Sequence, residues 1–427
     1  MAQTQRLPSS LAFYIESTPG TGPANAAAWN TAMGSLTTGG RVRHIAESVD
    51  PSSFVQTMLE DMRSFDDSVM DHSQKVLGIK GGVDFSSDHY LHGLEVTTAD
   101  ATQAAATALS TVLAHVLGGS QRTNRTAISA GSSTTATVAS TTNITLGSIV
   151  AIVDTSAGDG IAYPRRVTDI TGSVLTFDEA LPFTIASGDI CHAAITLFFD
   201  EDELENPTTW SWLLSKGRTG SVANWEARGT ASGLESIELG RNGLPIAKLK
   251  HLVASYATPE ALSEVTWSDL TPDGAAPQHV GTRTTVWLQD YGTTTANGQH
   301  ASEFKFSPGG TPVPIDTLTE VETGMPGRAG YSIDSDDSMI DLTVVPLANA
   351  HFTAHLAGTL KTVRLAKNAA PGLGWCVGFP RCEIAATPSH AAVGPVRGQK
   401  LSLRALRDTT TVATTQLWRS RAYIALF

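Results

Sequence analysis

Carboxylates are the first residues in this chain dense enough to do chemistry. Asp334, Asp336 and Asp337 in "DSDDS" form the tightest loop group, and hard cations such as calcium take oxygen ligands of this kind. The glycine and closing Glu of a calcium-binding loop are missing at the required spacing, so the segment reads as a solvated turn. "DEDELE", from Asp200 to Glu205, reads as a surface acidic loop rather than a second cation site. His351 and His355 in "HFTAH" have the i, i+4 spacing of zinc ligands on a helix, but the Glu of that motif is absent, and the segment reads as ordinary β structure. Cys191, Cys376 and Cys382 offer neither an even disulfide framework nor a CxxC pair, and read as buried free thiols. No GxSxG elbow and no GxxxxGK[ST] phosphate loop occurs. Carboxylate pairs of the glycosidase kind are set by the fold and not by spacing. The residues therefore assign no catalytic group, no metal site and no cofactor, and the chain reads as a non-enzyme.

Basic residues are equally scattered. "RTNR", "PRR" and "RALRD" are patches of two or three charges, too small for a nucleic-acid groove, and read as partners for acids on a neighbouring subunit. The net charge of −12 disfavours a protein that grips a duplex, because gripping requires Lys and Arg to displace phosphate counterions. An acidic wall does allow DNA to pass without sticking. Charged residues make up only 16% of the 427, against roughly 25% in a typical soluble protein. Much of the surface is then Ala, Gly, Ser and Thr, which suits a subunit covered by neighbours. The first residues lack a basic start with a long apolar core, and no apolar run reaches the roughly 18 residues of a membrane span, so the expectation is a soluble chain without an export signal.

The elements that would position these groups are mostly strands. "AFYIESTPGTGPANAAAW" runs from a short strand into a loop punctuated by Pro19, Gly20, Gly22 and Pro23, an arm ahead of the fold proper. Asp50 as N-cap, Pro51 at the first helical position and Phe54, Met58 and Met62 at i, i+4, i+8 predict a short helix. Period-two alternation from Leu77 to Phe85, resuming on Tyr90, Leu94 and Val96, predicts a hairpin over 76–97. Ala105, Leu109, Val112, Leu113 and Val116 make one apolar stripe of a helix over 99–117, closed by Gly118 and Gly119. Residues 120–145 are Ser/Thr-rich, a linker or a β-rich edge. "LGSIVAIVD", "RRVTDI", "SVLTFDEAL" and "GDICHAAI" then give four short β-branched runs, a small β module over about 140–197. Trp210 and Trp212 read as core, and alternating strands continue to a C-terminus tucked against a sheet.

This arrangement resembles the tail tube (major tail) proteins of long-tailed bacteriophages. The resemblance rests on the opening strand, on Glu16 followed by the Gly20 and Pro23 turn and by Trp29, and on the order hairpin, amphipathic helix ending at Gly, later strands. The module "LGSIVAIVD…RRVTDITGSVLTFDEALPFTIASGD" is similar to a β unit embedded in phage tail and neck proteins. The resemblance implies a mainly β chain, a β-sandwich/tube domain with one packed α-helix plus an inserted small β module. Its parts are an arm and first sandwich strands with the helix in 1–120, the connection and module in 121–200, and the remaining strands with a possible further β domain in 201–427. It implies a virion tail protein, made in the host cytoplasm, that forms stacked sixfold rings, or trimers if the tube domain is duplicated. Neighbouring rings of the same protein, other tail proteins and viral DNA passing through without specific binding are the implied partners, with no membrane. Glu16, Pro19, Gly20, Gly22, Pro23 and Trp29 are the implied inter-ring arm. Alternation shows which residues share a face but not which face would line a lumen. The other readings are a tail terminator or capsid decoration protein, and a carbohydrate-active β-protein using Trp210, Trp212, Trp225 and Trp375, against which the missing export signal argues.

Overall fold

A computed structural model describes residues 9–45, 48–49, 56–58, 64–65, 72–73, 79–82, 84–94, 104–204, 207–218, 221–239, 244–257, 284–295, 298–316, 328–345, 349–393, 395–409 and 415–427. The chain is mainly β, and its strands close on themselves in three circuits. The first is antiparallel throughout: Thr284–Asp290 pairs with Lys361–Lys367, then in turn come Trp375–Ile384, Val396–Ala405, Met339–Val345 and Gly298–Ser307, which returns to Thr284–Asp290. The second runs from Gly39–Val42 through Ser9–Ile15, Trp210–Arg218, Ser221–Leu239 and Ile246–Leu252 to Phe85–Tyr90. Its ends are joined where the Ile45 N–H donates to the Asp88 carbonyl at 2.8 Å. The long strand Ser221–Leu239 belongs to both, since Ile237–Leu239 also pair with Phe304–Phe306.

The third circuit is a small closed barrel of Thr126–Gly131, Thr135–Val138, Val174–Phe177, Ala162–Thr171, Ile149–Val153 and Ile190–His192. The Ser/Thr-rich stretch thus supplies two of its strands: Thr126, Ile128, Ala136 and Val138 point inward while polar neighbours stay wet. Ile149–Val153 is buried on both faces, which explains its unbroken apolar run. Val150 and Ile152 fill the barrel, whereas Ile149, Ala151 and Val153 pack with Trp287, Ala366, Cys376, Tyr423 and Phe427 of the main body. Strand Tyr423–Leu426 lies between Ile195–Phe199 and Trp375–Ile384, so the run expected to tuck against a sheet is held within one. Gly374 and Gly378 permit this, because a Cβ at either would collide with the Phe427 or Tyr423 ring.

Several local expectations are corrected. The helix expected over 99–117 is Ala108–Leu117: Thr107 and Ser110 form a reciprocal capping box that starts it late and leaves Ala105 exposed outside it. It is not the lone helix, since Ala26–Met33 and Asn349–Leu356 are helical as well. Among the described residues the two strands of the predicted 76–97 hairpin do not pair with each other. Ile79–Gly82 pairs with Gln56–Met58, and Phe85–Tyr90 pairs with Ile246–Leu252 in a long-range ladder that buries Phe85, Ser87 and His89. Asp50, Pro51, Phe54 and Met62 of the other predicted helix lie outside the described residues, but Gln56–Met58 within that stretch is a strand.

The second circuit encloses a directional hydrogen-bond chain. His89 Nδ1 lies 2.9 Å from the Arg43 carbonyl, which can only accept, so His89 Nε2 must accept from Ser87 Oγ at 2.8 Å. Ser87 Oγ then accepts from His251 Nε2 at 2.7 Å, His251 Nδ1 accepts from Ser232 Oγ at 2.8 Å, and Ser232 Oγ accepts from Trp212 Nε1 at 3.3 Å. Ser87, His89 and His251 are all fully buried. Each group is satisfied only while both imidazoles are neutral. Burial, aided by nearby His89, holds His251 well below the ordinary imidazole value, and burial also lowers His44 to about 4. The unfolded chain takes up these protons near pH 6.5 and the folded chain only at lower pH, so stability is fully present above about 6.5 and falls as the pH drops toward 4. Urea unfolding of the wild type across that range should show this decline, and a flat profile would contradict the neutral assignment. Ser232→Ala, which strands Trp212 Nε1 and His251 Nδ1, should lower the unfolding free energy at pH 7.5 by about 1–3 kcal/mol.

Candidate functional site

The residues of the expected arm are folded against their own subunit. Glu16 is buried, and its carboxylate accepts from Gly20 N at 2.7 Å, Ser211 Oγ at 2.6 Å and Gly229 N at 3.0 Å. Gly20 takes a φ of 76°, which closes this turn. A Cβ at Gly22 would meet Ser211 Oγ and the Glu226 carboxylate, so the loop passes directly over the strand that carries Glu226 and Arg228. Burial raises the Glu226 pKa, and its bond from Arg228 Nε at 2.8 Å partly offsets that rise. Pro19 is half-buried and Pro23 buried, with the Pro23 carbonyl 3.4 Å from Arg228 Nη2. Asn25 caps the next helix by accepting from Ala28 N, and that helix buries Trp29 against Ala12, Met33 and Leu213.

A second group of residues sits where the small barrel meets the main body. Arg364 is buried and pairs with Asp178 at 3.0 Å and with Glu179. Burial is the largest single effect and would lower its pKa, but the charge and hydrogen bond of Asp178 together with nearby Tyr423 and Cys376 outweigh it and hold the guanidinium above its ordinary value. Arg165 donates to the carbonyls of Glu179, Pro164 and Ala180 at 3.1, 2.8 and 2.8 Å; burial, with Arg364 nearby, lowers it to about 9. Both guanidiniums lie over the Trp287 ring, at 5.7 Å for Arg165 and 4.9 Å for Arg364. Arg166 stacks at 4.0 Å on Trp418 and reaches Asp408 at 3.5 Å, whose other oxygen accepts from the Tyr291 hydroxyl. The partners of "PRR" are therefore in the same chain, backbone carbonyls for Arg165 and the Asp408 carboxylate for Arg166, rather than acids on a neighbour. "RALRD" is likewise internally paired, Arg404 with Glu383 and Asp337. Charges inside the apolar run "IAYPRRVTDI" were the available signal for a buried junction.

Beside this wall opens a pocket of about 430 Å³, lined mainly by Ile161, Tyr163, Leu181, Pro182 and Trp287. Two acceptors at it, Glu179 Oε1 and Asn368 Oδ1, are buried and have no hydrogen-bond partner.

Two β ribbons present outer edges of opposite character. Gly310–Asp316 pairs with Arg328–Ser335, with Pro312 opposite Ile333 and Pro314 opposite Tyr331. Prolines donate nothing, so the ladder must use the intervening residues, and the edge away from it lacks N–H donors at Pro312, which is buried against Gly233 of the main body, and at Pro314. Ser389–Val393 contains no proline and, among the described residues, pairs with Val396–Ala405 alone. It is largely exposed.

The other candidates do not converge. Asp336 and Asp337 sit in an exposed turn, and the backbone of Asp334 lies near the end of a strand. Asp200 precedes the single turn Glu201–Leu204, and Glu205 is outside the described residues. His351 and His355 lie on a helix instead of the expected β segment: His351 faces inward, while His355 Nδ1 donates to the Ile384 carbonyl at 3.0 Å. The three cysteines are free and buried. Trp210, Trp212 and Trp375 are core residues with no face for a sugar, and Trp225 is half-buried. Among the described residues no group of three His, Cys, Asp or Glu side chains is placed to hold a metal, and no helix is long and apolar enough to cross a membrane.

No protein-family model matches this chain, and no curated protein matches it.

Arg364→Met should destabilise the protein by about 3–5 kcal/mol, because buried Glu179 and half-buried Asp178 would be left without their cation. Chemical denaturation checks this. Glu16→Ala should free the 17–25 loop, so limited proteolysis is expected to cut there well before any other described segment.

Proposed function

We propose that this chain is a structural, non-enzymatic subunit that self-assembles, as in the tail tubes of long-tailed phages, into stacked rings through which a genome passes. In this reading the closed β circuits form the β-sandwich/tube domain and the small barrel is the inserted module. The observation that carries it is the open, proline-free edge of Ser389–Val393 on a ribbon continuous with the main circuit. An unpaired edge of this kind is a template for a strand of a neighbouring copy, and a ring removes all such edges by closing on itself. The charge-poor surface and net charge of −12 support the same reading, since they favour covered subunit faces and a wall that repels DNA.

The Glu16 loop, held by three hydrogen bonds to its own subunit, serves in this reading as a buttress of the subunit; reaching the next ring would require releasing it. Negative-stain microscopy of concentrated protein should reveal hollow stacked rings, and discrete monomers at neutral pH would count against the proposal. Hydrogen exchange gives a sharper check. Amides of 389–393 that face away from Val396–Ala405 should exchange freely in dilute monomer and become protected on assembly. Full protection already in the monomer would remove the basis for strand addition.

A further inference from the structure

We propose, independently of the assembly reading above, that mild acid unlatches the second circuit: protons taken up by the buried His89–Ser87–His251 chain release strand Phe85–Tyr90 from residues 43–49 while the strands of the first circuit stay closed. The reason lies in how the second circuit is joined. Five of its six junctions are antiparallel ladders. The sixth is a seam of single bonds: Ile45 N donates to the Asp88 carbonyl at 2.8 Å, Asp88 N to Ser48 Oγ at 3.2 Å, and His89 Nδ1 to the Arg43 carbonyl at 2.9 Å. Such a seam opens locally at lower cost than a continuous ladder.

One strand keeps the whole chain dry. Ser87 and His89 point inward from Phe85–Tyr90, and the Phe85 ring stacks on His251 at 4.3 Å. Peeling that strand away wets both imidazoles in one step. While it is in place, each accepting ring nitrogen faces a hydroxyl that donates to it, His89 Nε2 facing Ser87 and His251 Nδ1 facing Ser232. A proton added to either nitrogen turns the acceptor into a donor. Ser87 Oγ then receives an N–H from both rings, or Ser232 Oγ from both His251 and Trp212, and the displaced serine hydrogen has lost its acceptor.

Neighbouring charges do not offset the added one. Asp84 and Asp88 alternate with Ser87 and His89 and so face outward, as do Lys248 and Lys250 on Ile246–Leu252 and Glu235 and Glu238 on Ser221–Leu239. Glu16 and Glu226, the latter paired with Arg228, are buried on the other face of Trp210–Arg218, beside Ser211 and Leu213. His115 of helix Ala108–Leu117 stands edge-on to Trp210, and His92 Nδ1 is held by the Gly93 carbonyl. What lies close to the seam is positive: His44 is lowered by burial and further by His89, Lys216 and Arg41, and Lys216 donates to the Val49 carbonyl at 3.1 Å. A charge on His89 therefore repels the cations of its own seam. The strands of the first circuit carry His300 as their one histidine, and it is exposed, so acid has no equivalent hold there.

An imidazole kept neutral in the closed state and wetted in the open one favours opening by about tenfold per pH unit below 6.5. Peptide-resolved hydrogen exchange of the full-length wild type, corrected for the intrinsic pH dependence of exchange, should show protection of 85–90 falling about 100-fold or more between about pH 7.5 and pH 5. Thr284–Asp290 and Lys361–Lys367 should lose less than about threefold. An equal loss in all three overturns the proposal, since acid would then be unfolding the protein as a whole. The double variant His89→Gln with His251→Gln, which takes up no proton at these positions, should shrink the fall at 85–90 by about tenfold or more; the ratio between the two pH values is read, so a lower starting stability does not affect it. An undiminished fall removes the two rings from the latch. Should the double variant not fold, titration of the wild-type histidines followed by NMR decides: charging of His89 or His251 while 85–90 remains protected overturns the latch, and charging only together with the loss of protection supports it.

Discussion

Strands packed in the layer between the small barrel and the main body must be buried on both faces, because neither side of them meets water. Ile149–Val153, Ile195–Phe199 and Tyr423–Leu426 satisfy this, each buried along its whole length. The alternative, one wet face per strand, would leave the barrel tethered rather than packed. Much else follows from this layer. Ala151, Ala366 and Ala425 keep the layers close, and Gly374 and Gly378 yield room for two aromatic rings. Strand Tyr423–Leu426, buried between two others, completes the junction only after both of its neighbours have been made. The barrel, with its own core of Ile128, Val150, Val167 and Phe177, has enough interior to close alone, so the wall is what fixes its orientation on the body.

Charge inside such a wall has to be neutralised locally. Arg364, Asp178 and Glu179 do so as a compact group, and the flat guanidiniums of Arg165 and Arg364 find further stabilisation over Trp287. A replacement of the whole group by apolar residues could be as stable, since desolvation consumes most of the Coulombic gain. What the ionic group adds is specificity: a barrel rotated by one strand would leave these buried charges unmatched. The hydrogen-bond chain from Trp212 to Arg43 gives the second circuit the same selectivity by different chemistry, since reversing any one donor leaves two buried atoms unpaired.

Local features of this fold are written in the sequence more plainly than long-range ones. "IVAIV" and the β-branched runs after it announced a module, because strands that short with Gly and Asp between them leave little choice. The capping box at Thr107 was also readable, though the apolar stripe implied an earlier start. Pairing partners were not readable. Phe85–Tyr90 alternates equally well whether its neighbour is adjacent or far along the chain, and only the fold chooses Ile246–Leu252. The pocket was hidden for the same reason: Leu181, Trp287 and Asn368 are far apart in sequence, and no spacing rule connects them. Arg165 and Arg166 read as a small basic patch with partners on another subunit, whereas their place within an apolar strand was the mark of burial, and their partners lie in the same chain.

Association of this chain is constrained as much by what is blocked as by what is open. Pro312 and Pro314 strip donors from one ribbon, and the Ile45 bond together with the Arg43 and Ser48 contacts occupies the edge of Phe85–Tyr90. A chain meant to remain alone would blunt its other exposed ribbon in the same way, with proline, lysine or a bulge. Ser389–Val393, reading Ser-His-Ala-Ala-Val, carries none of these devices. In the proposed assembly, uneven protection of this kind would leave a lateral direction open to strand addition. A ring closed in this way ends growth in one direction, so stacking into a tube would need a second, axial contact between identical subunits.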